Sequence, residues 1–256
     1  MGGLAARLAA RARDARVLTI DIERVPGVAR AFDSRVEWIR PDMWVTPPRT
    51  VCFAARWYGD KTPLFSAEWA GDDLARASWA LFDEADAVIT YNGDKFDIPH
   101  LKAAWFETGL GPPRPFKSID LIKSVRQFKF PSSSLDYVTR RLGRPGKVHK
   151  YDVAEAEAAV NGDEHAQKAF RRYNVGDVEL TEWLHDRLLG WMPTHPHLGA
   201  PTDDKVCNQC GSDKLKLQAT RYRAVVIDYA LFRCDKCGAN VRAGWHARAA
   251  TTRGVK

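Results

Sequence analysis

Apolar and polar positions along the chain follow two periods. Val17, Leu18, Ile20 and Ile22 make an extended run broken only by Thr19, Asp21 and Glu23, which predicts a strand. The spacing predicts a second strand over residues 50–58 and a third over 63–69, with Gly59-Asp60 as the hairpin signal between them. Leu74, Ala77, Trp79, Ala80 and Leu81 then recur at helical spacing, predicting a helix from Asp72 or Asp73 to about Glu84. Ala87 to Thr90 is almost wholly apolar, as in a strand covered on both faces. A further helix is expected from about Lys95 to Thr108, with Phe96 and Ile98 as core anchors and Gly109 or Gly111 closing it. Residues 116–121 read as a strand or as the entrance to a helix. Ser132-Ser133-Ser134 caps a short helix at 135–142, and helical periodicity returns from 164 to 189 with a bend expected at Gly176.

Strands followed by alternating helices and strands indicate an α/β layer protein: a mixed sheet flanked by helices. No G-x-G-x-x-G follows the first strand and no G-x-x-x-x-G-K-[ST] occurs, so dinucleotide binding and P-loop hydrolysis lose their usual support. The 45% apolar and 28% charged fractions are those of a globular protein. No apolar run is long enough to span a membrane, and no membrane partner is expected. Pro193, Pro196 and Pro201 mark a linker. The expected organisation is an Ala/Arg-rich extension (1–15), a main domain (16–190), a linker (191–204), a small cysteine domain (205–247) and a basic tail (248–256). Of the net charge of +7, a surplus of 6 falls between Pro201 and Lys256, which suits a module meeting a polyanion.

The first strand carries the candidate chemistry. Side chains two apart on a strand share a face, so Asp21 and Glu23 point the same way, about 6–7 Å apart along the backbone. Adjacent like charges cost stability unless a cation or proton lies between them, and a divalent metal answers that cost. Asp97, in Y-N-G-D-K-F-D, lies just beyond the 87–90 strand, where α/β folds place their sites. Asn92 before it could orient a phosphate or cap the helix, Gly93 permits close backbone approach to a ligand, and Asp94 reads as an ordinary cap. On the last helix Tyr173 and Asp177 are four residues apart and lie over one another. Four carboxylates can hold two Mg²⁺ or Mn²⁺ ions about 3.5–4 Å apart, with the Tyr173 hydroxyl aligning an attacking water.

These motifs resemble those of the DEDD (DnaQ-like) 3′–5′ exonucleases of ribonuclease-H-like fold, and most of all the proofreading domain of family B DNA polymerases. Asp21-Ile22-Glu23 is similar to the first motif, Asn92, Phe96 and Asp97 to N-x-x-x-F-D, and Tyr173 with Asp177 to Y-x-x-x-D, the tyrosine (DEDDy) subclass. The resemblance implies a ribonuclease-H-like mixed sheet and a nuclease with Asp21, Glu23, Asp97, Tyr173 and Asp177 as catalytic residues. It also implies two Mg²⁺ or Mn²⁺ ions held by the four carboxylates, and a nucleic-acid substrate, in the first place single-stranded DNA or a 3′ end. Too few residues follow the last helix for a polymerase domain. A free-standing nuclease, or a nuclease subunit with a replication or repair partner, is therefore expected.

Cys207-x-x-Cys210 and Cys234-x-x-Cys237, separated by 23 residues, predict a closed four-thiolate site for one structural Zn²⁺ in a zinc ribbon. Paired thiols of this kind suit a reducing, cytoplasmic compartment, and Cys52 reads as a buried small side chain. Short ribbon strands are expected at 215–217, 225–227 and 230–232, with Tyr229 and Phe232 as core. Around them, Lys214, Lys216, Arg221, Arg223, Arg233, Lys236 and Arg242 interleave with aromatic residues and are candidate substrate-binding residues. An endonuclease or ribonuclease on the same scaffold, and a non-catalytic nucleic-acid or protein-binding adaptor, are the competing readings.

Overall fold

Val17–Val25 forms β1, whose even-numbered side chains Leu18, Ile20 and Ile22 are buried. The structure, a computed structural model, describes residues 15–147, 151–196, 205–224, 227–244 and 248–249. Most of the N-terminal extension, much of the linker, Trp245, His246 and most of the basic tail lie outside the described residues. After β1 come β2 (Val28–Ala29) and β3 (Trp44–Thr46), which pair with each other, then β4 (Arg49–Trp57) and β5 (Leu64–Ala67). Next come α1 (Leu74–Glu84), β6 (Ala87–Thr90), α2 (Asp97–Glu107), β7 (Lys117–Asp120) and α3 (Leu121–Val125). The series ends with α4 (Leu135–Arg141), α5 (Val153–Val160) and the long α6 (Glu164–Leu188).

The sheet order is β5-β4-β1-β6-β7. β5, β4 and β1 are antiparallel neighbours, whereas β6 and β7 run parallel to β1, so the sheet is mixed as expected. One face of β1 packs Leu18, Ile20 and Ile22 with Phe53, Phe82 and Trp105 under α1 and α2. On the other, Val25, Val51 and Cys52 meet Ala156 and Phe170 from α5 and α6. The two periods in the sequence therefore correspond to a three-layer arrangement with the sheet in the middle.

Several local details differ from expectation. Residues 117–125 are both a strand and a helix, because Asp120 ends β7 and caps α3 by accepting from the Ile122 N–H. α5 had no strong periodic signal, since its buried contacts are the small Ala156 and Ala159. α6 runs through Gly176 as one continuous helix. Phe96 is 41% exposed and packs edge-on against His100 rather than anchoring α2, because it precedes the first helical turn; Ile98 is buried as expected.

The described chain divides into two compact units, one covering Arg16–Leu184 and the other beginning at His185. The second contains β8 (Leu215–Ala224), β9 (Ile227–Cys234), β10 (Asn240–Arg242) and β11 (Arg248–Ala249), all paired to β9 as a small antiparallel sheet. Its first two strands are longer than the sequence suggested, while residues 225–226 of the expected middle strand lie outside the described residues. Tyr229 and Phe232 are both half-buried rather than core, since β9 turns them to opposite faces of a thin sheet. Among the described residues no helix is long and apolar enough to cross a membrane.

Candidate active site

Asp21 and Glu23 leave β1 on the face opposite Leu18, Ile20 and Ile22, and α6 brings Asp177 against them. One carboxylate oxygen from each of the three lies within 4.8 Å of the others. The β1–β4 register shifts between Glu23 and Arg24, where β4 carries one extra residue, Val51. Asp97, the first residue of α2, reaches the same region, and its Oδ1 accepts a 2.9 Å hydrogen bond from the Ile22 N–H. β6 pairs with β1 only as far as Thr19, so Asp97 serves a backbone donor beyond the end of that ladder. Three of the four expected carboxylates thus converge directly. The fourth adjoins them through the peptide between Asp21 and Glu23.

The electrostatics of the cluster show a charge surplus. Burial, then the neighbouring Asp177, Asp97 and Glu23 carboxylates, hold the Asp21 carboxyl well above its ordinary range. Burial and Asp177 push Glu23 up to about 8. Burial raises Asp97 to about 7, against the lowering effect of the Ile22 N–H. Burial also raises Asp177, although Lys147 opposes it. Burial and the neighbouring carboxylates therefore favour the protonated forms, and the single Lys147 ammonium does not offset them. A hard divalent cation with oxygen ligands would, so the donor set fits Mg²⁺ or Mn²⁺.

Three residues of this site were not singled out in the sequence. Lys147, from the G-R-P-G-K loop, donates to Asp177 Oδ2 at 2.5 Å and to the Tyr173 hydroxyl at 2.9 Å. Burial works against its ammonium, but Asp177 and Tyr173 outweigh this and leave it above its ordinary pKa. Asn174 is fully buried, and its Nδ2 donates to Asp21 Oδ2 at 2.7 Å and to the Asp21 carbonyl at 3.1 Å. Asp120 accepts from the N–H groups of Asn92 (2.7 Å) and Asp94 (3.4 Å), holding the loop that leads to Asp97. Lys147 has a weak signal in its basic loop. A helical Asn and a strand-end Asp have none until the chain is folded.

The same loop corrects several expectations. Asn92 lines the cleft in a left-handed conformation (φ 68°), but it is not the cap of α2, whose cap position is Phe96 with no side-chain hydrogen bond. Asp94 is not a cap either, since its carboxylate is engaged by Ser118 and Lys123. Gly93 is needed for close approach to Thr90, since an added Cβ would meet Thr90 Cβ at 2.4 Å. Tyr173 is buried, and burial followed by Asp177 and Glu23 raises its phenol above the ordinary range, so it is a neutral donor at physiological pH. The cleft over the cluster has a volume of about 530 Å³ and is lined by Asp21, Asn92, Ser133, Lys147, Tyr173 and Asp177 among others.

In the second unit Cys207, Cys210, Cys234 and Cys237 bring their sulfurs within 4.8 Å of one another. The Cys207–Cys237 and Cys210–Cys234 separations are 3.7 and 3.6 Å. A tetrahedron with Zn–S bonds of about 2.3 Å has edges of about 3.7–3.8 Å, whereas a disulfide needs about 2.05 Å. Gly211 (φ 70°) and Gly238 (φ 74°) follow the second cysteine of each knuckle in the left-handed region, as such turns require. Four protein sulfurs close this centre, so it is a structural zinc site of the ribbon type. Of the candidate substrate-binding residues, Lys214 and Lys236 lie beside the knuckles. Lys216, Arg221, Arg223, Arg233 and Arg242 stand on the sheet, on different faces.

Comparison with known proteins follows the same division. The profile of a family described as the RNase_H superfamily matches residues 50–189, a stretch that contains Asp97, Tyr173 and Asp177 and begins after β1. None of the curated proteins matches the chain. Among solved structures, the family B DNA polymerase of the hyperthermophilic archaeon Pyrobaculum calidifontis is similar with a TM-score of 0.53 and 20% identity. The similarity covers 70% of this chain and 25% of the polymerase, so it speaks to the fold.

Proposed function

The chain belongs to the RNase_H superfamily, and from that premise we propose that it is a metal-dependent 3′–5′ exonuclease acting on single-stranded DNA. The convergence of Asp21, Glu23 and Asp177, with Asp97 alongside, carries this reading. A binding module gains nothing from carboxylates that burial and then mutual repulsion hold above their ordinary pKa, whereas a divalent-cation site needs them. Asp21, Glu23, Asp97 and Asp177 would hold two such ions, which supply Lewis acidity at the phosphodiester and charge neutralisation when bound.

The chain's own groups supply orientation. Tyr173 keeps its proton, so it serves as a hydrogen-bond donor that aligns the attacking water rather than as a base. Lys147 donates to the same oxygen and fixes the direction in which the phenolic proton points. Asn174 holds Asp21 in place. The 530 Å³ cleft has room for roughly one or two nucleotides, which suits a strand end. The thiolate pairs fit a reducing, cytoplasmic setting, and a replication or repair protein is the partner class such an activity would serve.

The test is a substrate panel. Linear and circular single strands, duplex DNA and RNA are offered to the chain with Mg²⁺ or Mn²⁺. Stepwise shortening of linear single strands from the 3′ end, with circles intact, is the expected result. Cutting of the circle would replace this reading by an endonuclease, and preference for RNA would make the enzyme a ribonuclease.

A further inference from the structure

β9 runs through the middle of the ribbon sheet, and its side chains alternate between two faces. Phe232 and Cys234 point to the face of the sulfur cluster, where Leu215 and Val241 join them. Tyr229, Leu231 and Arg233 point to the other face. Cross-strand partners in an antiparallel ladder share a face. Tyr222 opposite Tyr229, Lys216 opposite Arg233 and Arg242 opposite Leu231 therefore stand there too.

This outer face is an aromatic step edged by cations. The Tyr222 and Tyr229 rings lie 6.3 Å apart at 39°, and the Arg242 guanidinium sits 4.2 Å over Tyr229. Tyr222 is 47% exposed. Arg233 and Arg242 have no carboxylate partner among the described residues, and Lys216 makes only an exposed 3.1 Å pair with Asp235. Between residues 205 and 244 the sequence has 8 Lys+Arg and 3 Asp+Glu, and the charge on this face suits an anion. On the cluster face, by contrast, the cation Arg223 is already engaged by Asp228 at 2.8 Å.

We propose that the face bearing Tyr222, Tyr229, Lys216, Arg233 and Arg242 binds single-stranded nucleic acid, with bases stacked on the tyrosines and phosphates on the three cations. Arg233 also donates to Asn240 Oδ1 at 3.3 Å and Arg242 to the Ala243 carbonyl at 3.2 Å, which leaves both positive charges uncompensated. Flat rings next to such guanidinium groups suit a strand whose bases are free to stack, and a duplex hides those ring faces. The proposal deepens the exonuclease reading, on which it rests for the kind of strand. The surface itself is read from the ribbon alone. It also separates the candidate basic residues: Arg221 and Arg223 stand on the other face, opposite Ala230 and Asp228, and do not belong to this site.

The test measures binding without turnover, in the full chain carrying Asp21→Ala. Fluorescence anisotropy with a labelled oligothymidylate is compared among Tyr222→Ala/Tyr229→Ala, Arg233→Ala/Arg242→Ala and the opposite-face control Arg221→Ala/Arg223→Ala, each checked for one zinc per chain. The tyrosine and arginine pairs are expected to weaken binding about tenfold or more, and the control pair less than about threefold. The arginine pair should also flatten the salt dependence by about one to two units of slope. An abasic strand of equal length should bind about tenfold more weakly than oligothymidylate, and the tyrosine pair should abolish that difference. Equal losses from both faces, duplex binding as tight as single-strand binding, or no binding with zinc intact would overturn the proposal; the last would point to a protein partner. Since no cleavage is read, failure here leaves the exonuclease reading standing. Failure of the substrate panel likewise leaves this measurement interpretable.

Discussion

Tyr173 and Asp177 lie one helical turn apart and share the Lys147 ammonium, so exchanging either leaves a different deficit. Tyr173→Phe removes the donor proposed to align water but no carboxylate. Turnover should fall about 10²-fold while the Mg²⁺ concentration for half-maximal rate stays within about twofold, both read from steady-state kinetics. An equal loss of metal affinity would contradict the role given to the phenol. The raised carboxyls carry a pH consequence. With Glu23 near 8 and Asp97 near 7 in the folded chain, the native state binds more protons than the unfolded one between about pH 4.5 and 8. Without Mg²⁺ or Mn²⁺, stability should therefore decline as pH rises through that window. Added Mg²⁺ should raise Tm more at pH 8 than at pH 6, by calorimetry. The same Mg²⁺ increment at both values would mean the cluster does not receive the ion.

At the scale of elements, β1 and the loop after β6 do the positioning. Asp97 can reach the Ile22 N–H only because β6 stops short and Gly93 presses against Thr90. Gly93→Ala should cost about 1–3 kcal/mol in denaturant unfolding and, by moving Asp97, depress nuclease rate as well; unchanged rate with lowered stability would uncouple that loop from the site. The D-x-E of β1 was legible because strand periodicity alone places Asp21 and Glu23 on one face. Asp177 with Tyr173 was legible from helical spacing. Lys147 was not, because a lysine in G-R-P-G-K looks like any surface cation until the loop folds over α6. Asn174 and Asp120 escaped because their importance lies in which backbone or carboxylate they meet, and those partners are 153 and 28 residues away. Phe96 misled because an apolar residue before a helix resembles its first core position.

For the molecule as a whole, each unit has its own source of stability: a two-sided sheet core in one and a closed sulfur site in the other. Elemental analysis should find one zinc per chain, and Cys207→Ser should lose it together with one unfolding transition, leaving that of the sheet core in place. Loss of both transitions would show that the units do not fold separately, and an iron–sulfur absorption spectrum would displace zinc. The central claim, that Asp21, Glu23, Asp97 and Asp177 form a shared divalent-cation site, is tested most directly by titrating the full chain with Mn²⁺ under electron paramagnetic resonance. The account predicts two bound ions coupled as expected at about 3.5–4 Å, and loss of that signal in Asp21→Ala. No bound Mn²⁺, or binding undiminished by that substitution, would contradict it.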